Sequence, residues 1–212
     1  MNLQLALDRL TRSECFQILK ETESSVDWIE IGTGVIKEYG LQIVREIKAV
    51  YPNKIIVADM KTCDAGKYEA IQAFEAGADI TTVMAFSADK TIKDTIEVAK
   101  QYSKRIMIDL LGISQRTRLV ELEELGVKLV SLHFGKDMQL ESELHTEIFE
   151  LLQGFSNFEV AVAGGINLEN LPLVLKYKPD TVIVGSAITK AENPSEAASN
   201  MKGMMKAYES NY

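Results

Sequence analysis

The 212 residues are 46% hydrophobic and 25% charged with only four prolines, a composition that predicts one globular domain over residues 1–212 without linkers. A formal net charge of −8 excludes the basic stripe of a nucleic-acid binder while leaving room for a local phosphate pocket. Two cysteines, Cys15 and Cys63, are too few for a disulfide framework and are expected as small buried apolar residues, and no apolar run approaches the roughly 18 residues of a membrane span.

The first stretch, "MNLQLALDRL", has no basic segment ahead of its apolar residues and meets Asp8 early, so a cytoplasmic protein is expected rather than a secreted one. "LQLALD" (3–8) is a predicted strand ending on Asp8, and "SECFQILKETE" has the period of a helix. "VDWIEI" (26–31) brings Glu30 near the end of a second strand, ahead of the helical "LQIVREIKAVY". The third strand, "KIIVADMK" (54–61), ends on Asp59 and Lys61, which are two apart and so project to one side. Asp64 follows just before "KYEAIQAFEAG", where it is either the N-cap of that helix or part of a site. "DITTVMA" (79–85) and the helical "DTIEVAKQYS" come next, then "KRIMIDLL" (104–111) with Asp109 and "KLVSLHF" (128–134) with His133. His145 falls in the polar helical stretch "ESELHTEIFELL" and is expected at the surface, while "EVAVAGG" (159–165) and "DTVIVGS" (180–186) end in glycines.

A strand followed by a helix, repeated eight times with apolar residues on both strand faces, predicts parallel strands and a (β/α)8 barrel. An open doubly wound sheet would want a glycine-rich turn after its first strand, and "ALDRLTRSE" has no glycine. In a barrel the chemistry sits at the C-terminal strand ends, where Asp8, Glu30, Asp59, Lys61, Asp109 and His133 converge. Charges gathered on one rim cost several kcal/mol unless paired or filled by a cation, so the cluster is expected to be functional. Glu30 and Asp59 are hard oxygen ligands on neighbouring strands and suit Mg²⁺, which keeps water in its shell. Gly164, Gly165, Gly185 and Ser186 occupy the two turns where this fold usually binds phosphate.

With these residues assembled, the chain resembles the orotidine 5′-monophosphate decarboxylase suprafamily, whose D-x-K-x-x-D motif matches Asp59, Lys61 and Asp64. Within it the resemblance is greatest to the 3-hexulose-6-phosphate synthase family, through "LQLALD", "IEIGTG", "ADMKTCDAG", "LHFGKDMQ", "VAVAGGIN" and "VIVGSAIT" in that order. The resemblance implies a homodimer with active sites at the interface, no nucleic-acid or membrane partner, and Asp64 reaching the neighbouring site. It implies a Mg²⁺-dependent aldol condensation of formaldehyde with D-ribulose 5-phosphate through an enediolate. Glu30 and Asp59 would hold the metal, Lys61 would stabilise the enediolate, and His133 would move the proton. Asp8 and Asp109 would orient hydroxyls, and Gly164, Gly165, Gly185 and Ser186 would bind the phosphate. The pattern departs at Thr62, Cys63, Phe134 and Lys136, which are expected to border the site. A related 3-keto-L-gulonate 6-phosphate decarboxylase shares the metal carboxylates and the enediolate but generally has glutamate at the position of Asp109 and arginine at that of Ser186. A barrel that binds sugar phosphates without turnover is a third reading.

Overall fold

The computed structural model describes residues 1–135 and 146–210. Strands β1 (Asn2–Leu7), β2 (Trp28–Ile31), β3 (Ile55–Thr62), β4 (Ile80–Met84), β5 (Arg105–Asp109), β6 (Leu129–His133), β7 (Glu159–Ala163) and β8 (Thr181–Val184) pair in chain order. Every pairing is parallel, and β8 returns to β1, so the eight strands close into the barrel that the repeat predicts.

Side-chain alternation sorts each strand into two environments. Leu3, Leu5 and Leu7 point outward and are fully buried in a core shared with Cys15 and Leu19 of α1 (Arg12–Thr22). Each such aliphatic residue contributes about 1.5–3 kcal/mol by leaving water. Trp28, Val57, Ile80, Met107, Leu129, Ala161 and Ile183 point inward and form a second apolar cluster inside the barrel. That plug is the floor of the site. Two residues further along the same inward faces come Glu30, Asp59, Thr82, Asp109, Ser131, Ala163 and Gly185, all of which line a cavity above it.

The other elements are α2 (Thr33–Tyr39), α3 (Gln42–Val50), α4 (Gly66–Glu75), α5 (Asp89–Tyr102) and α6 (Arg116–Glu124), then a 3-10 helix over Thr146–Leu152. α7 (Leu171–Leu175), α8 (Ser186–Thr189) and α9 (Pro194–Ser210) complete the chain. The sequence quotations for α1, α3, α4 and α5 fall on these helices, although α2 adds a second helix between β2 and β3 and α5 begins earlier, at Asp89. α1 starts with a capping box, in which Glu14 N–H donates to Thr11 Oγ1 and Thr11 N–H donates to the Glu14 carboxylate. Cys15 is buried as expected, whereas Cys63 is exposed in the loop after β3, a correction to the expectation that both cysteines serve as core residues. Among the described residues no helix is long and apolar enough to cross a membrane.

At the opposite end of the barrel Asp79, just before β4, accepts hydrogen bonds from Lys48 Nζ at 2.8 Å, Lys104 Nζ at 2.5 Å and the Ile56 N–H at 2.9 Å. Burial pushes this carboxylate up, but Lys104, Lys48 and the amide outweigh burial and hold it below its ordinary value. A depressed folded-state pKa adds stability that is fully present above the unfolded value of ~3.9 and is lost as pH falls through the folded value. Asp79→Asn should therefore lower unfolding stability by about 1.5–3 kcal/mol at pH 7, and by less in acid as wild type loses the same interaction. Urea unfolding of both proteins across pH 7 to 3 measures this; a difference independent of pH would contradict the ion-triad account.

Candidate active site

A cavity of about 620 Å³ opens at the C-terminal ends of the strands and is lined by all six of the expected charged residues: Asp8, Glu30, Asp59, Lys61, Asp109 and His133. Gly164, Gly165, Gly185 and Ser186 line it too. Asp64 does not lie on the cavity wall.

Asp59 and Lys61 meet as expected, with Nζ 3.0 Å from the carboxylate, yet simple strand alternation is not what joins them. The β3–β4 register shifts between Ala58 and Thr62, and Lys61 has φ 48, in the left-handed region. Thr82 holds this irregular turn by accepting from the Lys61 N–H at 2.9 Å while its own hydroxyl donates to Asp59 Oδ1 at 2.8 Å. Thr33 Oγ1 donates to Asp59 Oδ2 at 2.8 Å. Asp59 is 6% exposed and its carboxylate is thus fixed on both oxygens.

Lys61 Nζ also donates to Asp109 Oδ2 at 2.8 Å, and the same oxygen is 2.8 Å from His133 Nδ1. The Leu111 N–H donates to Asp109 Oδ1 at 2.8 Å. Burial opposes the charge on Lys61, but Asp59 and Asp109 prevail and hold its pKa above the ordinary lysine value. Burial likewise raises Asp109, and the His133 and Lys61 contacts override it to bring the carboxyl down to about 2. For His133, burial favours the neutral ring while the Asp109 hydrogen bond and charge favour the imidazolium, with a net upward shift. The ring is thus a stronger base than free imidazole. With Nδ1 on Asp109, Nε2 is the nitrogen left for proton exchange.

Glu30 stands apart from this ionic chain. Burial, and then the Asp59 carboxylate, push its pKa up to about 7, with Lys61 and the amide of Gln4 pulling the other way. Among the described residues no group of three or more His, Cys, Asp or Glu side chains is arranged for a metal. Glu30 and Asp59 make a two-carboxylate donor set, which fits Mg²⁺ completed by water and substrate oxygens better than zinc. The upward push on Glu30 is the repulsion that a divalent cation at the pair would reverse.

Asp8 is exposed at the mouth, where the Gly34 N–H donates to its Oδ1 at 3.2 Å and Arg9 lies 3.6 Å away. Gly164 has φ 111, and a Cβ there would collide with the Phe134 carbonyl oxygen, so only glycine lets β6 and β7 approach at this turn. Asn170 Nδ2 donates to the Gly165 carbonyl at 3.0 Å and steadies the next residue of the turn.

Asp64 is exposed and does not cap α4: the N-cap position is Ala65, with φ 53 and no side-chain capping bond. Of the departures from the family pattern, Thr62 is buried and donates to Glu69, Cys63 is exposed, and Phe134 is buried. None of these three lines the cavity, which corrects the expectation that they border it. Lys136 and His145 lie outside the described residues.

Sequence reasoning missed Gln4, Thr33 and Thr82, whose donors fix Glu30 and Asp59, and it missed Arg9, Lys37 and Lys190 on the wall. Gln4 and Thr82 left a usable signal, since each sits on the inward alternation of its strand. Thr33, Lys37 and Lys190 lie beyond the strands, where period-two alternation gives no guide.

Residues 1–201 match the family described as the Orotidine 5'-phosphate decarboxylase / HUMPS family. The chain is 42% identical over 207 residues to the 3-hexulose-6-phosphate synthase of Bacillus subtilis (strain 168), covering 97% of this chain and 99% of that protein. The crystal structure of 3-hexulose-6-phosphate synthase from Salmonella typhimurium superposes with a TM-score of 0.95 at 34% identity, over 98% of this chain and 100% of that one. KGPDC from Streptococcus mutans, solved in complex with a sugar phosphate, superposes with a TM-score of 0.91 at 28% identity, over 98% of each chain.

Proposed function

The chain belongs to the Orotidine 5'-phosphate decarboxylase / HUMPS family, and from that premise we propose that it is a 3-hexulose-6-phosphate synthase. It is an aldehyde-lyase that joins formaldehyde to D-ribulose 5-phosphate to give D-arabino-hex-3-ulose 6-phosphate. The observation that carries the proposal is the Lys61 ammonium held between Asp59 and Asp109, with His133 on the second carboxylate and Glu30 in the same cavity.

Removing a proton from C1, beside the ketone, creates an enediolate and concentrates negative charge on oxygen. Lys61 is already in place and charged, so it offsets that charge without reorganisation inside a largely buried site. His133 Nε2 takes the C1 proton, and Asp109 keeps Nδ1 protonated and the ring oriented. The enediolate carbon then attacks formaldehyde, forming the new C–C bond, and the resulting alkoxide recovers the proton from His133. Glu30 and Asp59 would hold Mg²⁺, which when bound supplies a fixed positive charge for the developing oxyanion. Asp8, at the mouth, orients a substrate hydroxyl. The phosphate lies against Gly164, Gly165, Gly185 and Ser186, with Lys37 and Lys190 on the same wall adding positive field.

A decarboxylase would reach the same enediolate by losing CO₂, so the discrimination rests on the second substrate. Purified protein with Mg²⁺ is expected to consume formaldehyde only when ribulose 5-phosphate is present. Faster release of CO₂ from 3-keto-L-gulonate 6-phosphate, judged by kcat/KM, would replace the proposal with the decarboxylase reading.

We extend the proposal to a homodimer in which Asp64 serves the partner's site. Its support is local: Asp64 is exposed and off its own cavity wall, near Tyr68 (70% exposed) at the start of α4. Ser87 Oγ donates to the Thr62 carbonyl at 3.2 Å, tying the loop that bears Phe86 (59% exposed) to the same region. Asp64→Asn and Lys61→Ala chains, each inactive alone, should regain up to about a quarter of wild-type sites when mixed and exchanged, since random pairing gives one intact hybrid site in half of the dimers. Proven subunit exchange without recovered turnover would sink the shared-site arrangement.

A further inference from the structure

Gln4 occupies a position that packing alone would assign to an apolar residue. It is fully buried on the inward face of β1, and its register partners on either side are Trp28 and Ile183, both members of the apolar plug. Its Nε2 donates to Glu30 Oε2 at 2.5 Å. Its Oε1 is buried and has no hydrogen-bond partner, alone in this among the described residues. A buried polar atom without a partner costs about 1–3 kcal/mol, so a core selected for stability would carry leucine or methionine here.

We propose that Gln4 is a positioning residue: it pins one oxygen of Glu30 from beneath and so fixes the direction of the carboxylate that faces the cavity. Among the described residues no other side chain hydrogen-bonds to Glu30, whereas Asp59 is held by Thr33, Thr82 and Lys61. Without the amide, Glu30 would keep its place on β2 but lose its fixed rotamer. The cost would fall on cation binding, since groups that orient a metal-holding side chain typically contribute as much as a weak ligand.

The inference rests on the proposal that Glu30 and Asp59 hold a divalent cation, and its test separates the two. Mn²⁺ is used as the probe, by calorimetry and by its electron paramagnetic resonance signal, on the intact chain. Gln4→Met should weaken Mn²⁺ binding about 10–100-fold and lower kcat/KM in parallel. Its melting temperature without metal should stay level or rise, because the unpartnered oxygen is removed. Gln4→Asn, which keeps an amide but draws it back from Glu30, should show the same loss of affinity and carries the test if the first variant fails to fold. Wild-type Mn²⁺ affinity in either folded variant overturns the inference and leaves the metal reading standing. Absence of Mn²⁺ binding by the wild type overturns both. A fall in melting temperature at unchanged affinity would make Gln4 merely structural.

Discussion

Asp59→Asn is expected to lower kcat/KM by about 10³-fold or more, equivalent to roughly 4 kcal/mol of lost transition-state stabilisation, and to abolish the response to added Mg²⁺. The size follows from how many roles one carboxylate fills. Both Asp59 oxygens accept hydrogen bonds, from Thr33 on one side and from Thr82 and Lys61 on the other. Asparagine has nearly the same shape, but its NH₂ cannot accept, so whichever way the amide turns, one set of donors meets another donor. The negative charge that faces Lys61 and pairs with Glu30 is removed as well. Kinetics with ribulose 5-phosphate and formaldehyde over a Mg²⁺ series measure the loss. Activity within tenfold of wild type, still rising with Mg²⁺, would refute both the metal assignment and the central place of Asp59.

Lys61→Ala is expected to damage stability and activity together. Its ammonium lies within 3.0 Å of Asp59 and 2.8 Å of Asp109, which are 6% and 3% exposed, with Glu30 close by at 9%. Removing the cation leaves carboxylates facing one another in a site that water barely enters, and breaking such a buried pair costs about 3–5 kcal/mol. His133 remains on Asp109 and relieves part of that cost. Thermal or urea unfolding without metal should show the loss, and added Mg²⁺ should return part of it by supplying charge at the same carboxylates. Turnover should fall by about 10³-fold or more, since no group then opposes the enediolate charge at that point. Full stability together with lost turnover would mean that the carboxylates are better solvated than their burial implies.

The barrel was legible in the sequence because its signal is local and redundant. Eight short Val- and Ile-rich strands, each followed by helical periodicity, leave few topologies once right-handed crossovers are imposed. The strand-end residues were legible for the same reason: a period of two, counted from any inward plug residue, lands on Glu30, Asp59, Asp109 and Ser131. His133 follows Ser131 by two more.

Other parts of the site depend on contacts between residues far apart in the chain. The meeting of Lys61 with Asp109 spans 48 positions, and the bond from Gln4 to Glu30 spans 26. Each comes from strand register and barrel closure, which no window of sequence contains. The left-handed turn at Lys61 had no glycine to announce it, and Thr82 on the next strand holds it. The capping role considered for Asp64 failed because the chain turns at Ala65 instead, and the expected burial of Cys63 failed because that cysteine lies beyond the strand.

By itself, then, the sequence determined which residues face inward and at which end of the barrel they gather, because alternation and strand length are properties of a single segment. Only the tertiary structure decided which charges touch. Asp109 is held low, Lys61 and His133 are held high, and Glu30 is pushed upward by the burial and neighbours that closure of the sheet creates. Electrostatic energy in a protein varies with distance and local dielectric, and both are fixed only when strands from different parts of the chain come together.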